Sequence, residues 1–123
     1  MKSFNTDKAP AAVGPYVQAI GTEEFVFTSG QLSINPENGE LVTEISAAAR
    51  QSLENVKAIL EEAGSSMDKV IKCTVYLADI NDFAAVNEVY KEFFDEHKPA
   101  RSAIQVGALP LGGVVEIEAI AKL

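Results

Sequence analysis

The sequence predicts an α+β domain, a sheet of five or six strands with two helices on one face. Three observations predict it. Two segments carry apolar residues at steps of three and four, as helix faces do. Around them lie short runs of alternating or β-branched residues bounded by Gly, Pro and Asn. Several of those runs are apolar on both faces, which two helices on one side cannot cover. The bare sheet face is therefore expected to meet another copy of the chain.

Each element follows in turn. Residues 17–20 (VQAI) and 24–29 (EFVFTS) read as strands joined through Gly21-Thr22, and residues 31–34 (QLSI) as a continuation beyond Gly30. Asn35-Pro36 and Asn38-Gly39 are turn dipeptides. A first helix spans 43–63: Ile45, Ala49, Leu53, Val56, Leu60 and Ala63 make its apolar face, Thr43 its N-cap, and Gly64 stands where a C′ glycine belongs. Residues 70–78 (VIKCTVYLA) form a strand with Ile71, Cys73, Val75 and Leu77 on one face. A second helix covers 82–96 with Asn81 as cap and Phe83, Val86, Tyr90, Phe93 and Phe94 on its apolar side, and Pro99 stops it. Residues 102–106 (SAIQV) and 114–122 (VVEIEAIAK) are the last strands, the second with Val115, Ile117, Ala119 and Ala121 on one face.

The 123 residues suit one domain, 1–123, without linker or repeat. A net charge of −8 opposes general nucleic-acid or anionic-membrane binding, because phosphate surfaces attract Lys and Arg. One cysteine, Cys73, and one histidine, His97, are too few for a disulfide or a zinc site. Cys73 reads as a small buried hydrophobe and His97 as a favourable charge at the end of the second helix. The opening MKSFNTDKAP lacks the apolar stretch of a secretory signal, so the cytosol is the expected compartment.

No phosphate-binding loop, dinucleotide fingerprint, nucleophile elbow or CxxC is present. Chemistry must come from scattered side chains. Arg101, at the mouth of a strand among apolar residues, is either a carboxylate clamp or a solvated surface arginine. Glu116 and Glu118 share one face of the last strand, about 7 Å apart. Either could handle a proton or a water, or both could form an ordinary polar face. Tyr16, after the rigid Gly14-Pro15, could wall a pocket; Ser29 and Gly30 could offer a hydroxyl and an approachable backbone. Asn87 interrupts the apolar face of the second helix and could point an amide into a cleft.

Four segments stand in order: APAAVGPYVQAI, FTSGQLSINPENGEL, ENVKAILEEAGSSMDKVIKCTVYLADINDF and PARSAIQVGALPLGGVVEIEAIA. Together they resemble the RidA family, the YjgF-type reactive intermediate deaminases. The resemblance covers nearly the whole chain. It implies a chorismate-mutase-like mixed sheet, assembled as a homotrimer with ligand sites in clefts between subunits. It also implies hydrolysis of 2-enamino or 2-imino acids to 2-keto acids and ammonia, with no cofactor and no metal. By resemblance Arg101 grips the substrate carboxylate and Glu116 orients the attacking water. Tyr16, Ser29, Gly30 and Asn87 line the pocket, and Glu118 is structural. Many relatives carry cysteine where this chain has Ala103, which removes a thiol the chemistry does not use. The rival expectations are a non-catalytic 2-keto-acid-binding module and a chaperone-like protein.

Overall fold

In the computed structural model, which describes residues 1–123, the predicted layers are present. Strands β1 (Lys2–Phe4), β2 (Ala19–Gly21), β3 (Phe25–Thr28) and β4 (Gln31–Leu32) precede helix α1 (Ile45–Glu62). Strand β5 (Val70–Leu77), helix α2 (Phe83–Phe93) and strands β6 (Ala100–Gln105) and β7 (Val115–Lys122) complete the chain. The mixed sheet runs β1-β2-β3-β7-β5-β6, with β4 also on β7, and only β5 and β6 are parallel. It has seven strands rather than five or six, because the N-terminal residues add a short edge strand against β2. Between β3 and β4 the ladder on β7 breaks at Ser29-Gly30, and the Thr28 hydroxyl accepts the freed Ala119 amide at 3.0 Å.

Both helices pack on one face. Leu53, Val56, Ile59 and Leu60 of α1 and Val86, Val89 and Tyr90 of α2 meet Cys73, Val75, Leu77, Val115, Ile117 and Ala119 of the sheet in one buried core. Burial on the order of 1.5–3 kcal/mol per large aliphatic side chain drives this layer together. The other face is uncovered. Phe27 and Ile104 are 43% and 47% exposed there, with Ile120, Glu116 and Tyr76 between them and Ile20 on the far side of Phe27.

Several boundaries and contacts differ from expectation. Glu44, not Thr43, caps α1, its carboxylate accepting the Ala47 amide, which also places a negative charge at the helix's positive end. Gly64, at φ 85°, ends the helix as predicted. Asp79, not Asn81, caps the turn that leads into α2, by accepting the Asn81 amide. A bulge between Val70 and Lys72 inserts Ile71 as an extra residue, so Val70 is buried and Ile71 exposed, and the alternation holds only from Cys73 onward. α2 stops at Phe93, so His97 lies past it and donates from Nε2 to the Val70 carbonyl at the start of β5. Cys73 is fully buried, and burial pushes its thiol up to about 11. No helix is long and apolar enough to cross a membrane.

Candidate functional site

Two cavities hold most of the residues singled out from sequence. The first lies between α2 and β6. Arg101 sits inside β6 rather than at its mouth, in register with Cys73, so its side chain rises on the helix face of the sheet. There one terminal nitrogen donates to Asn87 Oδ1 at 2.7 Å. The guanidinium carbon lies 4.8 Å from the Tyr90 ring centre and 5.2 Å from that of Phe83. Aromatic faces attract a cation and fix its plane without consuming its N–H donors. The protein's two ion pairs, Arg50–Glu92 and Lys91–Glu88, do not involve Arg101. A half-buried guanidinium is thus held on one side, unpaired, and open to a cavity of about 540 Å³ that Asn87, Lys98 and Pro99 also line. Planar and with donors to spare, it suits a carboxylate.

The second cavity, of about 500 Å³, lies at the turn from β3 to β4. Glu116 of β7 projects into it from the uncovered face, and Tyr16, Gly30, Leu32, Ile34 and Leu111 form walls. Glu116 is the one charged residue among those lining it. Burial, then the neighbouring Glu118 charge, raises its carboxyl above the usual carboxylate range. Glu118 is already engaged: it accepts the Tyr76 hydroxyl, which lifts that phenol to about 12. The two glutamates are thereby separated into one tied and one free. Gly30 makes room for the free one, since a Cβ there would lie 2.7 Å from Glu116 Oε1.

The other expected site residues sit at or beside these cavities. Asn87 spends its side-chain oxygen on Arg101. Ser29 does not line the second cavity; its hydroxyl donates to the Val17 carbonyl at 2.6 Å and its amide to that of Gln18, which anchors the turn presenting Gly30. Ala103, two residues after Arg101, packs against the core on the helix side.

Two polar residues that sequence reading passed over hold the second cavity in shape. Buried Gln18 donates from Nε2 to the carbonyls of Thr6, Ala9 and Pro10, and its Oε1 accepts the Thr6 amide, pinning the segment that walls the pocket. Buried Asn55 of α1 donates to the carbonyls of Leu32 and Ile34. The available signal was a lone amide inside an apolar pattern, Val17-Gln18-Ala19 and Leu53-Glu54-Asn55-Val56.

Within one protomer Arg101 and Glu116 do not converge. They occupy opposite sheet faces, two strands and three residue positions apart, which strand geometry makes about 14 Å between backbones. No small molecule spans that through the sheet. β6 is an edge strand of the sheet, so Arg101 stands at a border of the protomer.

A family model described as Endoribonuclease L-PSP matches residues 6–123. The 2-iminobutanoate/2-iminopropanoate deaminase of Escherichia coli (strain K12) is 50% identical over 123 residues, covering 98% of this chain and 96% of that protein. The crystal structure of E. coli TdcF with bound serine superposes with a TM-score of 0.96 at 51% identity, covering 100% of this chain and 99% of that one. RidA from the Antarctic bacterium Psychrobacter sp. superposes with a TM-score of 0.96 at 50% identity over the whole of both chains.

Proposed function

The chain belongs to the family of RidA and TdcF, whose model bears the description Endoribonuclease L-PSP, and from that premise we propose that it is a hydrolytic deaminase of 2-imino acids. It converts reactive 2-enamino and 2-imino acids, such as those derived from 2-aminoacrylate, to 2-keto acids and ammonia, in the cytosol and without metal or cofactor. The observation that carries the reading is the pair of unpaired opposite charges, Arg101 and Glu116, each preset by neighbours and neither neutralised within its own protomer.

The two half-sites meet when copies assemble. The uncovered sheet faces pack inward in a homotrimer, and Arg101 at the edge of one protomer reaches the Glu116 cavity of the next. Arg101 binds the substrate carboxylate; Asn87, Phe83 and Tyr90 hold its plane. The enamine tautomerises to the imine. Water, one proton taken up by Glu116, adds to the imine carbon; the C=N pair moves to nitrogen. Glu116 returns that proton to the nitrogen, giving the carbinolamine, then carries the hydroxyl proton to the same nitrogen as the C–N bond breaks, so that ammonia leaves and C=O forms. Tyr16 and Gly30 line the space. An imine is already electrophilic, so a positioned water and a charged clamp contributing several kcal/mol suffice. Phosphodiester cleavage, which the family description evokes, would require a chain of net charge −8 to gather a polyanion.

Arg101→Ala tests the reading. Keto-acid release from imines generated in situ by an amino-acid oxidase should fall by at least about 10²-fold, as loss of a charged clamp implies. The circular dichroism spectrum should not change. An unaltered rate refutes the deaminase assignment. Tight 2-keto-acid binding with no turnover on any imine favours a sensing module in its place.

A further inference from the structure

We infer that Leu111 selects the substrate's side chain, closing the Glu116 cavity with an apolar wall that favours uncharged aliphatic 2-imino acids over anionic ones. The inference rests on the deaminase reading and adds a specificity-determining residue to it.

Three observations carry it. Leu111 is the one non-glycine residue with positive φ, at φ 60° and ψ 18°. A Cβ makes that left-handed conformation unfavourable, and glycine would adopt it freely. Second, the strained backbone does not bury the side chain. Leu111 is 76% exposed, so its own protomer gains little from a leucine there. Third, the side chain stands on the rim of the Glu116 cavity, with Val13, itself 84% exposed, and Leu32 and Ile34 further along the wall. Strain that persists without a folding benefit, at the mouth of a cavity, points to a use in binding.

Charge and geometry define what the wall accepts. With the substrate carboxylate on Arg101 and the reacting carbon beside Glu116, the side chain leaves that carbon into the remaining space. Aliphatic and proline residues make up most of its wall, beside Tyr16, Gln18 and Gln31, and its volume exceeds what a methyl or ethyl group fills. Anionic side chains meet Glu116 and, behind it, Glu118. Aliphatic ones meet Leu111.

Leu111→Gly and Leu111→Asn both tolerate positive φ, so both should fold. The imines of leucine, alanine and glutamate are generated by an amino-acid oxidase, and kcat/KM is measured for each. The corresponding keto acids are titrated by calorimetry. Wild type should prefer the leucine-derived imine to the glutamate-derived one. Both variants should lower the leucine-to-alanine ratio of kcat/KM about tenfold, with a matching relative loss of affinity for the keto acid of leucine. Unchanged ratios and affinities in an active wild-type background overturn the role of Leu111 alone. A change of oligomeric state in light scattering overturns it too, by assigning Leu111 to a contact between copies. A wild type that binds these keto acids but hydrolyses no imine overturns the deaminase reading, while Leu111-dependent binding still upholds the wall.

Discussion

Replacing Gly30 by alanine separates the position of the Glu116 carboxylate from the stability of the fold. A Cβ at Gly30 would stand 2.7 Å from Glu116 Oε1, 2.8 Å from Cδ and 3.1 Å from Cγ, where ordinary contact begins near 3.4 Å. The carboxylate must retreat by about 0.7 Å, and a displacement of that order in a reacting group costs roughly 30- to 100-fold in rate, about 2–2.7 kcal/mol of barrier. The fold is affected in the opposite sense. Gly30 is exposed and its φ is not positive, so alanine fits the backbone and restricts the unfolded chain. That stabilises by about 0.4–1 kcal/mol, a rise of about 1–5 °C in Tm for a domain of this size. The atoms that clash all belong to one flexible side chain and none to the backbone, so relief of the contact cancels little of this gain. Steady-state kinetics and a thermal melt on the same preparation decide the matter. A kcat within twofold of wild type, with Tm raised, would refute the use of Glu116's position. A loss confined to KM would mean that the Cβ meets the substrate and not the carboxylate. A fall in Tm would make Gly30 a packing residue.

Two other perturbations follow from the same geometry. Glu118→Gln removes a charge that raises the Glu116 carboxyl, and the proposed mechanism requires that carboxyl ionised. The acidic limb of the kcat–pH profile, above 4.5 in wild type, should move to lower pH while the larger effect of burial remains; an unmoved limb refutes the coupling. The stability sign is opposite: a raised native pKa stabilises the fold fully below 4.5, and that contribution disappears as pH rises through the native value. Gln18→Leu strips the partners from the carbonyls of Thr6, Ala9 and Pro10 and from the Thr6 amide, so it should cost about 2–4 kcal/mol in urea denaturation. A loss under about 0.5 kcal/mol would show that water replaces those bonds.

Periodicity made the layers legible. The 3.6-residue spacing in α1 and α2 and the two-residue spacing in β7 are local signals, and they place Leu53, Val86 and Ile117 in the core as read. What depends on a partner strand was not legible. The bulge that turns Ile71 outward exists only because β5 pairs with β7 in a shifted register. The N-terminal strand exists only because β2 offers it an edge. Glu44 won the cap of α1 because its longer side chain folds back to the Ala47 amide, where a threonine-first reading weighs residue type alone. Alternation made Glu116 and Glu118 equivalent on one strand face. Tyr76, from a different strand, separates them by bonding Glu118. The split of the named residues into two cavities was likewise absent from the sequence, because it depends on which sheet face each strand presents.

That split has an energetic reason. Tyr76 lies directly across from Glu116 in the ladder, yet its hydroxyl goes to Glu118, one pair further along the same face. Asn87 offers Arg101 a neutral oxygen where a carboxylate at the same helix position would have paired the charge outright. At both places the charge is left without an ionic partner in its own protomer. An unpaired carboxylate with its pKa raised and an unpaired guanidinium held flat are each a local loss to the folded protomer. Residues that break the rules of satisfaction while their neighbours obey them mark the groups kept free for a ligand. Since the sheet itself bars the two charges from meeting within a protomer, a single ligand gripped by both, as proposed, requires a second copy at the edge strand that carries Arg101.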